Sequence, residues 1–336
     1  MFKTAPIAAL IALIAGPVAA HADGNREFPT AAAPVLADAY PDRVTAFPNG
    51  VTGLADVVYS VIPGYRPMIL DLYLPKGDPA ARPARPLVIY IHGGGWVAGH
   101  TRHSGALSNF PGALAELASE GFVVASVEYR LSGEARFPAA LQDVRAALRF
   151  LKANAGKYGV DPGRVGLWGG SAGGHLTALA ALTCGVTDLD SAPAPAGSEC
   201  VQAAVTWYGV FDVTAMPVSL AAPTGGSNPL NAFLGCAADG CPGYITAAAS
   251  PVTYITAKAP PMLLIHGEAD RTVPVAQSHE AEDRLRAAGA SVQAMYIPNV
   301  DHSFIGRTPE ETRAATLKAM NATYDFFHAQ LDGKAR

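Results

Sequence analysis

The chain has 336 residues, of which 50% are hydrophobic and 15% charged, with a formal net charge of −4. Such a chain can bury one large core or two modest ones, and without a Lys/Arg run it has no electrostatic footprint for nucleic acid. No glycine-rich loop ends in Gly-Lys-Ser/Thr, so nucleotide hydrolysis has no support.

Met1-Phe-Lys3 is a short positive start, the stretch from Ala5 to Ala20 is almost wholly apolar, and Ala20-His21-Ala22 fits an A-x-A cleavage site. Residues 1–22 therefore read as a secretory signal peptide cut before Asp23. The apolar run is short for a membrane anchor, which needs about 20 residues. No later segment is long and apolar enough to span a bilayer, so a secreted or periplasmic protein is expected. Residues 23–50 read as an extended arm.

Two strand-like runs, 55–62 and 67–74, are joined by Pro63-Gly64 and should pair antiparallel. The run Pro86-Leu-Val-Ile-Tyr-Ile91 reads as a buried strand and leads straight into His92-Gly93-Gly94-Gly95-Trp96. A glycine run in that place can aim unpaired backbone N–H groups at a ligand; the plainer reading is a flexible turn. A helix is expected over 106–119, a strand over 122–128 and a helix over 138–153, where Leu141, Val144, Leu148 and Leu151 share one face. Next comes the apolar run Arg164-Val-Gly-Leu-Trp168, then Gly169-Gly170-Ser171-Ala172-Gly173, then the small-residue helical stretch from His175 to Leu182. Strand, Gly-x-Ser-x-Gly and helix in that order form the turn that presents a nucleophilic serine. The turn is strained, and side chains on its glycines would strike the neighbouring strand or helix. The helix behind it points its N-terminal amides at developing negative charge.

A strand is expected over 201–208. Residues 213–258, rich in Ala, Pro, Gly, Ser and Thr, break the rhythm and read as a small lid or insertion. The strand over 261–266 leads to His266-Gly-Glu-Ala-Asp270; a helix over 274–288 and a strand over 291–297 lead to Asn299-Val-Asp-His302 and a last helix over 311–330. Helices between strands imply a parallel sheet, whose strand ends hold polar groups at one edge. A serine nucleophile needs a base, and the base an orienting acid. The order Ser171, Asp270, His302 is that of the α/β-hydrolases, not of chymotrypsin or subtilisin. Among the competitors, His92 is expected to hold the glycine loop, His175 to pack in the helix and His266 to stand behind the site. His100, His103, His279 and His328 lack supporting context, and His21 falls in the leader. Asp212, Glu268 and Asp301 rival Asp270, with Asp212 read as structuring its loop.

Cys184, Cys200, Cys236 and Cys241 make an even count in a chain read as exported, which suggests two disulfides. Three pairings are open, and the near-neighbour set Cys184–Cys200 and Cys236–Cys241 is the expected one. Neither pair has zinc-site spacing or a flanking histidine, so no metal is expected. Four buried free thiols are the other reading.

HGGGWVAG at 92–99, VEYRLS at 127–132, FPAALQDVRAALRFL at 137–151, YGVDPGRVGLWGGSAGGH at 158–175, LIHGEADRTVPV at 264–275 and DHSF at 301–304 together carry a resemblance. The chain is similar to α/β-hydrolase esterases of the hormone-sensitive-lipase type, and most to their feruloyl- and acetyl-esterase-like branch. Two departures stand out: Gly170 where the lipase-like branch usually has Asp, and an acid segment, His-Gly-x-x-Asp-x-x-Val-Pro, similar to that of prolyl-oligopeptidase-like hydrolases.

The resemblance implies an α/β-hydrolase fold with a mostly parallel eight-stranded sheet and helices on both faces. Residues 23–336 would form one domain. Ser171 would be the nucleophile, His302 the base and Asp270 its orienting acid, with no metal or organic cofactor. The amides of Gly93, Gly94 and Ala172 would form the oxyanion hole. Trp96, Trp207 and Tyr208 lie near strand ends that meet at the site and are expected to line the substrate pocket; core packing is the plainer reading for Trp168 and Trp207. The substrate would be a small-molecule or polysaccharide-linked ester, of acetyl or feruloyl type. An exported peptidase or amidase with the same triad is the alternative. A non-catalytic binding protein of this fold is a third reading, set against the presence of all three triad residues.

Overall fold

The computed structural model describes residues 43–79, 83–191, 196–216, 228–236 and 240–332. The leader at 1–22 and the arm as far as residue 42 lie outside the described residues.

The strands are β1 (Arg43–Ala46), β2 (Thr52–Ser60), β3 (Met68–Leu74), β4 (Arg85–Ile91), β5 (Val123–Val127), β6 (Val160–Gly170), β7 (Ala203–Trp207), β8 (Met262–Gly267) and β9 (Val292–Ile297). They form one sheet in the order β1-β2-β3-β5-β4-β6-β7-β8-β9. The first three and β5 pair antiparallel, and every pair from β5–β4 onward is parallel. All residues of β5, β7 and β8 are buried, as continuous apolar strands covered on both faces must be.

Among the described residues the sheet has nine strands, not the expected eight. The additional one, β1, lies in the segment read as an extended arm. Its sequence, Arg-Val-Thr-Ala, buries nothing, so no hydrophobic alternation announces it. It is recruited from outside, by antiparallel pairing that sets Arg43 opposite Ala55 and by a 2.7 Å ion pair from Arg43 to Asp56.

The helices are α1 (Phe110–Ser119), α2 (Ala139–Ala153), α3 (Ala155–Tyr158), α4 (Ala172–Leu182), α5 (Pro229–Leu234), α6 (Gly243–Ala249), α7 (Ala276–Ala287) and α8 (Pro309–Phe327). Local chemistry sets their ends. The Asn109 side chain caps α1 by accepting from Gly112 N at 3.1 Å. Thr308 caps α8 by accepting from Glu311 N at 3.2 Å, with Pro309 in first position and Glu310 and Glu311 in the first turn. One apolar cluster joins the sheet to α2, α4 and α7; a second joins it to α1 and α8, so helices cover both faces. The described parts of 213–258 hold α5, α6 and two short 3-10 turns.

This topology decides where chemistry gathers. From β4 the chain crosses to β5 on one side and returns to β6 on the other, and a crevice opens where the winding reverses. Ile91 at the end of β4 pairs with Gly169 near the end of β6, which puts the His92–Trp96 loop beside Ser171. Neighbouring β8 and β9 end just before Asp270 and His302. Disulfides join Cys184 to Cys200 and Cys236 to Cys241, the expected pairing, with Cα atoms 4.9 and 5.0 Å apart. Among the described residues no helix is long and apolar enough to cross a membrane.

Candidate active site

Ser171 stands at the corner between β6 and α4 with φ +56° and ψ −123°, a backbone state that side chains rarely adopt. The corner is pinned on both sides: Ser171 N donates to Trp207 O at 2.9 Å, and Ser171 O accepts from His175 N at 2.9 Å. A Cβ on Gly169 would lie 2.4 Å from Gly173 O, and one on Gly173 would lie 2.0 Å from Ile91 O. Both glycines are therefore required by close backbone approach.

The Ser171 hydroxyl reaches His302 Nε2 at 2.9 Å, and His302 Nδ1 donates to Asp270 Oδ2 at 2.8 Å. Asp270 Oδ1 accepts from the Thr272 and Val273 amides, both at 2.8 Å. A second imidazole completes its shell: His266 Nε2 lies 3.2 Å from Asp270 Oδ2 and 2.9 Å from Val273 O, while its Nδ1 meets Ser278 Oγ at 2.7 Å. Burial acts to raise the Asp270 carboxyl, but hydrogen bonds from His266, His302 and Val273 outweigh it and hold its pKa well below the usual carboxylate range. Asp270 is thus an anion set to hold the imidazole in one tautomer.

Two of the three rival groups are occupied elsewhere. Asp301 accepts from the Arg271 and His302 amides at 2.9 and 2.7 Å and pairs with the Arg271 guanidinium. Asp212 Oδ1 accepts from Thr214 N at 2.7 Å, so it structures its loop as read from the sequence. Glu268 is exposed.

The loop after β4 presses on the serine. A Cβ on Gly93 would lie 2.8 Å from Gly170 O and 3.4 Å from Ser171 Cβ. The loop is closed by Val97 N and Ala98 N donating to Gly94 O at 3.2 and 3.1 Å. His92 sits behind it, Nδ1 donating to Gly93 O at 2.8 Å and its ring stacked on Tyr129 at 4.3 Å. Burial lowers the His92 pKa to about 4, so it is neutral. Ala172 opens α4, where the first amides of a helix have no partner within it. Among the described hydrogen bonds, none is donated by the Gly93, Gly94 or Ala172 amide.

Trp96 ends the loop with φ +61°. Its indole Nε1 donates to His175 Nδ1 at 3.2 Å, and its ring stacks on Phe233 at 4.7 Å. His175 Nε2 in turn donates to Ala249 O at 2.7 Å, and burial lowers its pKa to about 4. His175 therefore packs in α4 as expected, and also ties the glycine loop to that helix.

A cavity of about 660 Å³ opens over Ser171 and His302. Trp96 and Tyr208 line it, as expected from the sequence, but Trp207 does not. The expectation for Trp207 is corrected: it is buried beneath the sheet edge, 4.8 Å from the Trp168 ring, with Nε1 donating to Thr323 Oγ1 at 2.9 Å. Strand alternation turns it into the core under α8, while Tyr208, one residue on, turns toward the site. The sequence reading missed Tyr90, Ser104, Met216 and Ser303, which also line the cavity. Chemically, the arrangement can deprotonate a serine hydroxyl, place it against a carbonyl and offer amides to the oxyanion.

The BD-FAE family model matches residues 70–285. Esterase LipQ of Mycobacterium tuberculosis is 33% identical over 259 residues, covering 74% of this chain and 57% of that protein. The chain spans about half the length of the curated relatives it matches. Two solved structures share its architecture with a TM-score of 0.67. One is a bifunctional GH43-CE protein of Bacteroides eggerthii, 32% identical and covering 83% of this chain and 35% of its own. The other is a truncated carbohydrate esterase from gut microbiota, 27% identical and covering 85% of this chain and 99% of its own.

Proposed function

This chain belongs to the BD-FAE family, and on that premise we propose that it is an exported serine carboxylic-ester hydrolase for small acyl or aryl esters of acetyl or feruloyl type. The observation that carries the reading is the continuous chain of contacts from Ser171 Oγ through His302 to Asp270 Oδ2, at 2.9 and 2.8 Å, beside the glycine loop. His302 takes the serine proton as Oγ attacks the ester carbonyl, and Asp270 stabilises the imidazolium. The amides of Gly93, Gly94 and Ala172 receive the oxyanion; each such donor contributes about 3–4 kcal/mol to lowering a barrier of this kind. The alcohol leaves with the proton from His302, and water activated by the same imidazole releases the acid. The carbohydrate-esterase neighbours support a small-molecule or polysaccharide-linked ester as the substrate.

In this reading residues 1–22 are removed on export, residues 23–336 form one hydrolase domain, and the insertion at 213–258 lends Met216 and Pro229 to the cavity lining. The two disulfides fit an oxidising compartment.

The test is hydrolysis of p-nitrophenyl esters from acetate to decanoate by the purified protein and by Ser171→Ala. A preference for acetate or butyrate, lost in the variant, is expected. Inertness toward every ester, with cleavage of arylamides instead, would overturn the esterase reading in favour of an amidase.

A further inference from the structure

The mechanism uses one of the two imidazoles on Asp270 and leaves the other without a task. His266 is the last residue but one of β8, and the turn that follows is closed by Asp270 N donating to Gly267 O at 3.2 Å. That turn folds the carboxylate back onto the His266 ring, and both side chains are fully buried. Nε2 of His266 faces two acceptors, Val273 O at 2.9 Å and Asp270 Oδ2 at 3.2 Å, so this nitrogen carries a proton and donates to them. Nδ1 meets Ser278 Oγ of α7 at 2.7 Å, and Ser278 is itself buried. The ring is thus clamped at both nitrogens, with a proton fixed on the side of Asp270.

Asp270 Oδ2 therefore lies between two ring N–H groups, His302 Nδ1 at 2.8 Å and His266 Nε2 at 3.2 Å. Both draw on the same negative charge. How tightly His302 holds a second proton depends on how much of that charge it sees. The other titratable groups around the cluster are paired, neutral or exposed. On the loop before His302, Asp301 pairs with Arg271. From α7, Glu282 accepts from Tyr296 of β9 at 2.7 Å and pairs with Arg286, and the His279 ring lies 4.2 Å from that of Tyr296. Beyond the end of β7, Tyr208 stands edge-on to His302 at 4.7 Å, and burial raises its pKa so that the phenol stays neutral. Glu268 is exposed. Among the described hydrogen bonds, none of these side chains reaches Asp270.

Resting on the esterase reading above, we propose that His266, held by Ser278, is a positioning residue for the triad: it takes a share of the charge on Asp270 Oδ2, makes His302 a weaker base, and so keeps His302 free to accept the Ser171 proton at lower pH. It acts through Asp270 and touches no substrate. The same ring anchors Val273 O, while Val273 N donates to the other oxygen of Asp270 at 2.8 Å. His266 thereby also fixes the turn that aims the carboxylate.

The experiment uses the full chain and two readouts. One is the pH dependence of kcat/KM for p-nitrophenyl acetate, whose acid limb reports the base of the free enzyme. The other is an NMR titration of the His302 ring nitrogens in isotope-labelled protein, which needs no turnover. His266→Phe keeps a ring but removes both nitrogens, and both readouts are expected to move up by about half a pH unit or more. His266→Gln, whose side-chain NH2 stands in for the Nε2 donor, is expected to return most of that shift. Ser278→Ala releases the ring at Nδ1 and is expected to give a smaller upward shift. A fall in kcat or in melting temperature with both readouts unmoved, or a shift to lower pH, would overturn the inference. Where His266→Phe fails to fold, an unmoved Ser278→Ala overturns it alone. A wild type inert toward every ester, with the His302 titration still shifted in the variants, would remove the esterase reading and leave the positioning role.

Discussion

Asp270 is the residue on which the site's electrostatics turn. It spends one oxygen on two amides and the other on two imidazoles, and this keeps it ionised despite its burial. Asp270→Asn keeps the shape but can place an amide donor against His302 Nδ1, which favours the tautomer unable to accept the serine proton. A loss of about 10⁴ in kcat on p-nitrophenyl acetate is expected, with an unchanged fold by circular dichroism; a loss below tenfold would show that another group orients His302. Ser171, Asp270 and His302 were legible in the sequence because each follows an apolar strand run in an order set by topology. Tyr90, inside β4, reads only as one more residue of a buried strand, and Ser104 and Ser303 were not legible because hydroxyl residues in loops have no periodicity. Their meeting depends on backbone states, such as φ +60° at Ser303 and +58° at Phe304, that residue type does not announce. Trp207 failed for a different reason: position near a strand end says nothing of which face a side chain takes.

At the scale of elements, the glycine loop and α4 act as one body through the Trp96–His175 hydrogen bond. His175→Phe would keep a ring in the site but leave the indole N–H without an acceptor, at a cost of about 1–3 kcal/mol. The expected result is a lower melting temperature and a kcat on p-nitrophenyl acetate reduced by about tenfold, with little change in KM, because in the proposed mechanism the loop positions the oxyanion donors more than it binds the ester. An unchanged kcat would mean the loop holds its shape without the helix. The long apolar and amphipathic elements of the sequence were found within a few residues of their ends. What escaped were elements whose stability is borrowed: β1, which buries nothing, and the short α5 and α6 within a stretch that reads as irregular.

For the whole molecule, two neutral buried histidines set an acid limit. Burial lowers His92 and His175 from an ordinary value of 6.5 to about 4. Between those pH values the unfolded chain binds protons that the native state refuses, so stability falls as pH drops from 6.5 and this loss levels off below 4. Each histidine accounts for about 3 kcal/mol across that window. The Asp270 carboxylate adds a further loss at lower pH, because its folded pKa is depressed and its contribution goes as it protonates. Urea midpoints at neutral pH, at pH 5.5 and at pH 4.5 should fall in that order; a flat profile would mean that neither histidine is neutral in the native state. The alternation of strands and helices made the parallel half of the sheet legible from the sequence. The antiparallel edge was legible only in its hairpin, since the pairing of β3 with β5 joins distant segments. Packed on one face of this sheet lies α4, the helix behind Ser171, with all eleven residues buried and neither flank turned to water. A helix with no outward face has no position at which substitution is free. Diversification of an ancestor with this architecture toward new esters would therefore leave the nucleophile's support untouched and fall on the loops that overhang it.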